Sequence, residues 1–176
     1  MTFEELGLKQ EVLDAVASLG FTEPSPIQQE AIPQLLTENK DLVGLAQTGT
    51  GKTAAFGLPM VNQIDFDSKK TQGLVICPTR ELCIQISKDF VSYSKNFRNA
   101  NIVPVYGGAS IDTQTRQLNR GAQIVVATPG RLVDMIKRKR VDLSQVQFVA
   151  LDEADEMLNM GFKEDIDGIL SNTPDT

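Results

Sequence analysis

Residues 42–53 read Leu42-Val43-Gly44-Leu45-Ala46-Gln47-Thr48-Gly49-Thr50-Gly51-Lys52-Thr53. An apolar run of strand length meets a Gly-containing turn, and the turn meets a helical pattern that starts near Lys52. Strand, turn and helix in that order are the setting a phosphate-binding loop requires. Backbone N–H groups of the turn and of the helix N-terminus aim at phosphate oxygens. In that setting Lys52 would pair with the β/γ oxygens and the Thr53 hydroxyl would ligate Mg²⁺. Gly49 and Gly51 supply permissive backbone; the generic pattern begins with Gly, where this chain has Ala46.

Outward from this loop the rhythm of the chain is α/β. Leu42 to Leu45, Gly73 to Cys77, Ile102 to Val105, Gln123 to Ala127 and Phe148 to Leu151 read as buried strands. Helical patterns separate them, the clearest from Arg80 to Tyr93, with Leu82, Ile86, Phe90 and Tyr93 at helical spacing. Alternation of this kind implies crossovers and a parallel sheet covered on both faces, with ligands at the carboxyl ends of the strands. The first forty residues read instead as two helices. Val12, Leu13, Val16, Ala17 and Leu19 are expected on one face of the first, and Ile27, Ala31, Ile32, Leu35 and Leu36 on one face of the second.

With 176 residues, 41% of them hydrophobic and 23% charged, the chain is long enough for one domain with a real core. A single domain over residues 1–176 is the expectation, since no repeat or linker-like stretch divides it. Seventeen Lys and Arg against 23 Asp and Glu give a net charge of −6, so any nucleic-acid contact must be local. No apolar run approaches the roughly 18–20 residues that cross a bilayer, and the N-terminus lacks the pattern of a secretory signal. The chain therefore reads as soluble and cytoplasmic. Cys77 and Cys83, in a sequence without histidine, suit structural thiols rather than a zinc site.

The other unusual clusters fall just after the expected strands. Asp152-Glu153-Ala154-Asp155 closes the run Phe148 to Leu151. A carboxylate there would anchor Mg²⁺, the role expected of Asp152, and Glu153 would polarise or orient the attacking water. An acidic first helical turn accounts for Glu153, Asp155 and Glu156 equally well when they are considered alone. Pro78-Thr79-Arg80, Gly107-Gly108 and Thr128-Pro129-Gly130-Arg131 offer amides, hydroxyls and arginines to a nucleic-acid backbone, although Thr128-Pro129 also fits an ordinary cap, Gly107-Gly108 an ordinary turn, and Arg80 a pairing with a carboxylate. Ser25-Pro26-Ile27-Gln28 fits a helix start, Ser as N-cap and Gln at the third position. The Gln28 amide would alternatively read an adenine edge with Phe21 nearby. Lys137-Arg138-Lys139-Arg140 is the one dense basic run and suits a solvated helix end.

In order along the chain, these segments resemble the N-terminal RecA-like domain of a DEAD-box ATP-dependent RNA helicase. GFTEPSPIQ stands as the Q motif with Phe3 as its upstream aromatic, followed by AQTGTGKT, PTREL, GG, TPGR and DEAD. In this family the phosphate loop begins with Ala, so Ala46 is the expected residue. The resemblance implies an ATP and Mg²⁺ site. Phe3, Phe21, Gln28, Gln47, Thr48, Gly49, Thr50, Gly51, Lys52 and Thr53 would bind nucleotide, Thr53 and Asp152 the metal, and Lys52, Asp152 and Glu153 would serve catalysis. It implies RNA-backbone contacts at Pro78, Thr79, Arg80, Gly107, Gly108, Thr128, Pro129, Gly130 and Arg131.

The resemblance further implies a second RecA-like domain carrying an arginine finger. Neither that domain nor the family's Ser-Ala-Thr motif occurs in these 176 residues. The expectation is a monomeric ATP-binding half that binds nucleotide, hydrolyses it feebly alone and does not unwind RNA. Two other classes suit the sequence less well. A P-loop kinase of a small molecule would need a basic lid segment, which the sequence lacks, and a non-catalytic interaction domain would have no need of the full Lys52, Thr53, Asp152, Glu153 set.

Overall fold

The structure is a computed structural model that describes residues 1–38, 41–46 and 49–174. Two compact units are distinguished: Met1–Ile64 with Asp89–Arg98, and Asp65–Lys88 with Asn99–Thr176.

In the first unit a 3₁₀ turn, Glu4–Leu6, leads into α1 (Gln10–Ser18), α2 (Pro26–Thr37) and α3 (Lys52–Gln63). Helix α1 buries Val12, Ala15 and Val16. Ala17 and Leu19, expected on the same face, are exposed. Ala17 sits five residues from Val12 and falls off the stripe that i, i+3, i+4 spacing defines, and Leu19 lies past the last helical residue as the C-cap. Helix α2 starts at Pro26 and buries Gln28, Ala31 and Ile32, with Ile27, Leu35 and Leu36 half-buried. Helix α3 packs tightly through Gly57. A Cβ there would lie 2.8 Å from Phe90 Cε1 and 2.9 Å from Tyr93 Cε2, so the ring cluster Phe56, Phe90 and Tyr93 depends on the missing side chain.

The expected strand from Leu42 to Leu45 does not form. Residues 41–46 adopt no regular element, with Val43 87% and Leu45 95% exposed. A short apolar run becomes a strand only where a neighbouring edge supplies its ladder. No described residue pairs with this one, and Gly44 lies beside Ile27 of α2 instead.

The second unit carries the sheet. Strands β1 (Gly73–Ile76), β2 (Ile102–Val105), β3 (Ile124–Ala127) and β4 (Phe148–Leu151) are all parallel, in the order β2-β3-β1-β4. Their spans match the expected runs within one residue at each end. Between and after them come α4 (Arg80–Tyr93), α5 (Ile111–Asn119), α6 (Pro129–Lys137), α7 (Ala154–Asn159) and α8 (Lys163–Leu170); residues of α4 beyond Lys88 belong to the first unit. Leu74, Ile76, Val103 and Val125 enter a core with Leu132 and Met135 of α6, Met157 of α7, and Ile166 and Ile169 of α8. Each such side chain contributes about 1.5–3 kcal/mol through burial. Val75 and Val126, one step out of phase, point to the opposite face and are equally buried. There Cys83 of α4 donates its Sγ–H to the Val126 carbonyl at 3.1 Å.

Strand β4, expected to be buried, alternates half-buried and exposed residues, leaving Val149 and Leu151 at the surface. It stands at the end of the described ladder and has a partner on one side only. Registers set Ile76 level with Ala127 and Leu151, and Ala127 level with Val105. Every segment that follows a strand therefore emerges along one carboxyl edge.

Candidate functional site

The first unit holds the candidate nucleotide-binding group. Phe3 and Phe21, eighteen positions apart, stack with ring centroids 6.4 Å apart and planes 23° from parallel. Phe3 is buried and Phe21 exposed, so the pair offers one aromatic face to solvent. Ser25 is the N-cap of α2 and Pro26 its first residue. The buried Gln28 accepts a hydrogen bond at Oε1 from the Ser25 N–H, 2.9 Å away, and donates from Nε2 to the Gly51 carbonyl at 3.2 Å. The cap expected of Gln28 is therefore present. The same side chain ties the start of α2 to the glycine loop, and among the described residues one of its amide N–H groups and one oxygen lone pair take no partner. Ser25 Oγ is buried and has no hydrogen-bond partner among the described residues.

Gly49 (φ +87°) and Gly51 (φ +82°) are both left-handed, and Gly51 is the N-cap of α3. A Cβ on Gly51 would collide with Gln28 Nε2 and come within 2.9 Å of Ser25 Oγ. The loop is thus a cradle that only glycine leaves open, ending in Lys52 and Thr53 at the start of a helix. That arrangement fits a bound phosphate chain. Gln47 and Thr48 lie outside the described residues.

In the second unit the carboxyl edge gathers the remaining candidates. Pro78, Thr79 and Arg80 follow β1, Gly107 and Gly108 follow β2, Thr128 to Arg131 follow β3, and Asp152 and Glu153 follow β4. Thr79 Oγ1 accepts from the Leu82 N–H at 3.2 Å and caps α4. The Arg80 guanidinium stands 5.2 Å from the Tyr106 ring centroid, a cation–π distance. Gly108 (φ +85°) sits against Arg80, which a Cβ would approach to 3.2 Å. Gly107 and Gly130 face open space. Thr128 precedes Pro129, the first residue of α6, yet its hydroxyl makes no capping bond among the described residues. The ordinary-cap account of Thr128 thus lacks its bond, whereas Thr79, not expected to cap, makes one.

Arg131 has a definite structural task. Nη1 and Nη2 both donate to the Ala109 carbonyl at 3.1 Å, and Nη1 donates to Gln114 Oε1 at 3.0 Å. The buried Gln114 in turn donates to the Tyr106 carbonyl at 3.0 Å. This relay fixes the loop that presents Tyr106 beneath Arg80. Neither Tyr106 nor Gln114 was visible as a site residue in the sequence. Their one signal is position, directly after β2 and one helical turn into α5, and it gains meaning only once β2 is known to lie beside β3.

Asp152 is 4% exposed, and its N–H donates to the Ile76 carbonyl at 2.9 Å. Glu153 adopts a left-handed conformation (φ +56°, ψ +48°) rare for a residue with a side chain, as the N-cap of the six-residue α7. Asp155 and Glu156 occupy the first turn of α7, where carboxylates favour the helix dipole. Among the described residues no three His, Cys, Asp or Glu side chains gather as a metal cluster. A Mg²⁺ held by one or two protein ligands together with phosphate oxygens and water needs no such cluster. Cys77 and Cys83 are fully buried free thiols; contact with Cys83 and burial push Cys77 far up, which suits structural thiols.

An α/β fold with a left-handed glycine loop opening a Lys-Thr helix, and with acidic and arginine-bearing loops along the carboxyl edge of a parallel sheet, defines a RecA-like P-loop domain. Residues 25–176 match the DEAD/DEAH box helicase family, and the chain belongs to it. It is 51% identical over 174 residues to the ATP-dependent RNA helicase DeaD of Klebsiella pneumoniae, covering 99% of this chain and 27% of that protein. It is 52% identical over 175 residues to the DEAD-box ATP-dependent RNA helicase CshA of Bacillus cereus, covering 99% of this chain and 33% of that one. The chain thus spans a third or less of the length of these relatives. A crystal structure of a DEAD box protein from the hyperthermophile Methanococcus jannaschii superposes with a TM-score of 0.93 at 40% identity, over 99% of this chain and 47% of that one. Among the described residues no helix is long and apolar enough to cross a membrane.

Proposed function

We propose that residues 1–176 form a single N-terminal RecA-like domain, the ATP-binding half of an ATP-dependent RNA helicase that remodels or locally unwinds RNA. The observation that carries this reading is the Gln28 Nε2 bond to Gly51, which joins the adenine-reading segment to the phosphate loop. Phe3 and Phe21 offer the base a ring to lie against, and the free N–H and lone pair of Gln28 suit the donor and acceptor of an adenine edge. Gln47, Thr48, Gly49, Thr50 and Gly51 take the phosphates with Lys52, and Thr53 and Asp152 are the protein ligands for Mg²⁺. The metal, when bound, neutralises phosphate charge. Glu153 activates the attacking water, as a general base or by orienting it, and Lys52 stabilises the charge that develops on the transferred phosphoryl group.

RNA contacts fall to Pro78, Thr79, Arg80, Gly107, Gly108, Thr128, Pro129, Gly130 and Arg131. Arg80 is preset over Tyr106, and the Thr128 hydroxyl makes no capping bond among the described residues. Such contacts address phosphate and sugar, so binding is salt-sensitive with little sequence preference. The partner is a second RecA-like domain that supplies an arginine finger, an element worth about 10³ to 10⁵ in rate among P-loop enzymes. By itself the chain is a cytoplasmic-type monomer that binds nucleotide, turns it over feebly and does not unwind. Calorimetry with ADP and GDP, each with Mg²⁺, tests the reading on the wild type, Gln28→Ala and Lys52→Ala. ADP binding without GDP binding, weakened in both variants, is expected. Equal binding of both nucleotides would reduce the site to a generic phosphate loop and Gln28 to its capping role.

A further inference from the structure

The end of the sheet opposite the motif-bearing loops carries a cleft of about 340 Å³, lined entirely by the second unit. Its walls come from Lys69, Lys70 and Thr71 just before β1, Gly121 just before β3, and Lys139, Arg140 and Asp142 after α6. Four cations thus face one carboxylate in a chain whose net charge is −6. The carboxylate is occupied: Asp142 accepts from the Ser144 N–H at 2.9 Å, its charge is favoured by that residue's hydrogen bonds, and Lys70 lies near it. Arg140 is held in the wall by Asp112 at 3.1 Å and Thr115 at 3.3 Å. Lys69 and Lys139 have no ionic partner among the described residues.

The walls are built rather than loose. Gln72 Nε2 donates to the Lys70 carbonyl at 3.2 Å and to the Asp65 carbonyl at 2.9 Å, Gln123 Nε2 donates to the Ser68 carbonyl at 2.9 Å, and Thr71 Oγ1 donates to the Ala122 carbonyl at 2.6 Å. Gly121 (φ +94°) lets the lysine loop approach, since a Cβ there would lie 2.7 Å from Lys69 Cβ. On the facing wall α6 ends in a paired C-terminal turn, Lys139 N–H to the Ile136 carbonyl at 3.0 Å and Arg140 N–H to the Met135 carbonyl at 2.9 Å. The left-handed position of that turn is where glycine is normally found, and here it is Lys139 at φ +58°. The chain keeps a strained lysine where glycine would relax the backbone, and that lysine lines the cleft.

We propose that this cleft is a second anion site, separate from the phosphate loop, for a compact ligand carrying two adjacent phosphates. Cations on both walls suit a pyrophosphate group better than a lone monoanion. The volume, near the lower bound of small-molecule sites at about 300 Å³, admits a small ligand. Among the described residues no aromatic side chain lines the cleft to stack a base, which separates it from a single-strand RNA groove.

The test is a titration of the whole ¹⁵N-labelled chain with inorganic pyrophosphate, followed by amide chemical shifts at constant ionic strength. Thr71, Gly121, Lys139 and Arg140 are expected to shift along one saturable curve. Gly49 to Lys52 report the phosphate loop independently, so failure of one site is distinguishable from failure of the other. Lys69→Glu/Lys139→Glu is expected to weaken the saturable binding by about tenfold or more. Lys139→Gly, which relieves the strained backbone, is expected to raise the melting temperature while weakening binding. Shifts linear in concentration, shifts unchanged in the double variant, or single-stranded oligouridylate moving these amides where pyrophosphate does not, would each overturn the proposal.

Discussion

The glycine loop of the first unit and the loop after β2 in the second are ordered by opposite means. The first is shaped by absence. Gly51 leaves the space that Gln28 and Ser25 fill, and Gly57 leaves room for Phe90 and Tyr93. The second is shaped by presence: Arg131 and Gln114 reach across to hold the Ala109 and Tyr106 carbonyls. A loop organised by missing atoms has little tolerance for any added one, whereas a loop organised by long polar side chains fails when a partner is removed.

Gly51→Ala presses hardest on this contrast. A left-handed alanine whose Cβ overlaps Gln28 must displace the amide or distort the loop, at a cost of about 1–3 kcal/mol. ADP binding is expected to be abolished in calorimetry, with a lower urea midpoint; normal ADP binding would show that the loop is not a glycine cradle. Gln114→Leu tests the other side. It keeps the volume but orphans the Tyr106 carbonyl and one Arg131 donor, so unfolding by urea should show a loss of about 1–3 kcal/mol. ADP affinity should be unchanged, and an unaltered stability would mean that the relay does not hold the loop.

A third effect is read from pH. Burial, followed by the nearby Asp89 charge, pushes the Tyr93 hydroxyl well above the ordinary tyrosine range, so the fold holds it neutral. Above about pH 10 the unfolded chain ionises this tyrosine and the folded chain does not. Stability should therefore fall with rising pH there, by up to about 1.4 kcal/mol per unit. Tyr93→Phe should flatten that slope in alkaline urea titrations, and an unchanged slope would assign the loss to other groups. The smallest effect belongs to Thr128→Val. Because the hydroxyl makes no cap bond, stability should stay within about 0.5 kcal/mol. A loss of a full cap's worth, about 1 kcal/mol, would restore Thr128 to a capping role.

Much of the fold was legible because periodicity is a local property. The β-branched runs located β1 to β4, and the spacing of Ile86, Phe90 and Tyr93 outlined α4 from Arg80 to Tyr93. Ser25, Pro26 and Gln28 marked the start of α2 through cap chemistry confined to one turn. The same local signals misled where the outcome needed a distant partner. Leu42 to Leu45 has the composition of a strand but no described ladder, and β4 has the composition of a buried strand but stands at the end of the described sheet.

From the amino-acid sequence alone came the α/β alternation, the order of the motifs and the residue types at each loop, since these depend on neighbours within a few positions. Tertiary structure decided which loops meet. The order β2-β3-β1-β4 brings Arg131 to Ala109 and Gln114, Arg80 to Tyr106, and Lys69 to Gly121. Those pairings span between 17 and 52 positions in sequence, and no period or propensity encodes them. They arise because parallel strands are joined through crossovers, so the segments that become neighbours at either edge of the sheet are never consecutive in the chain.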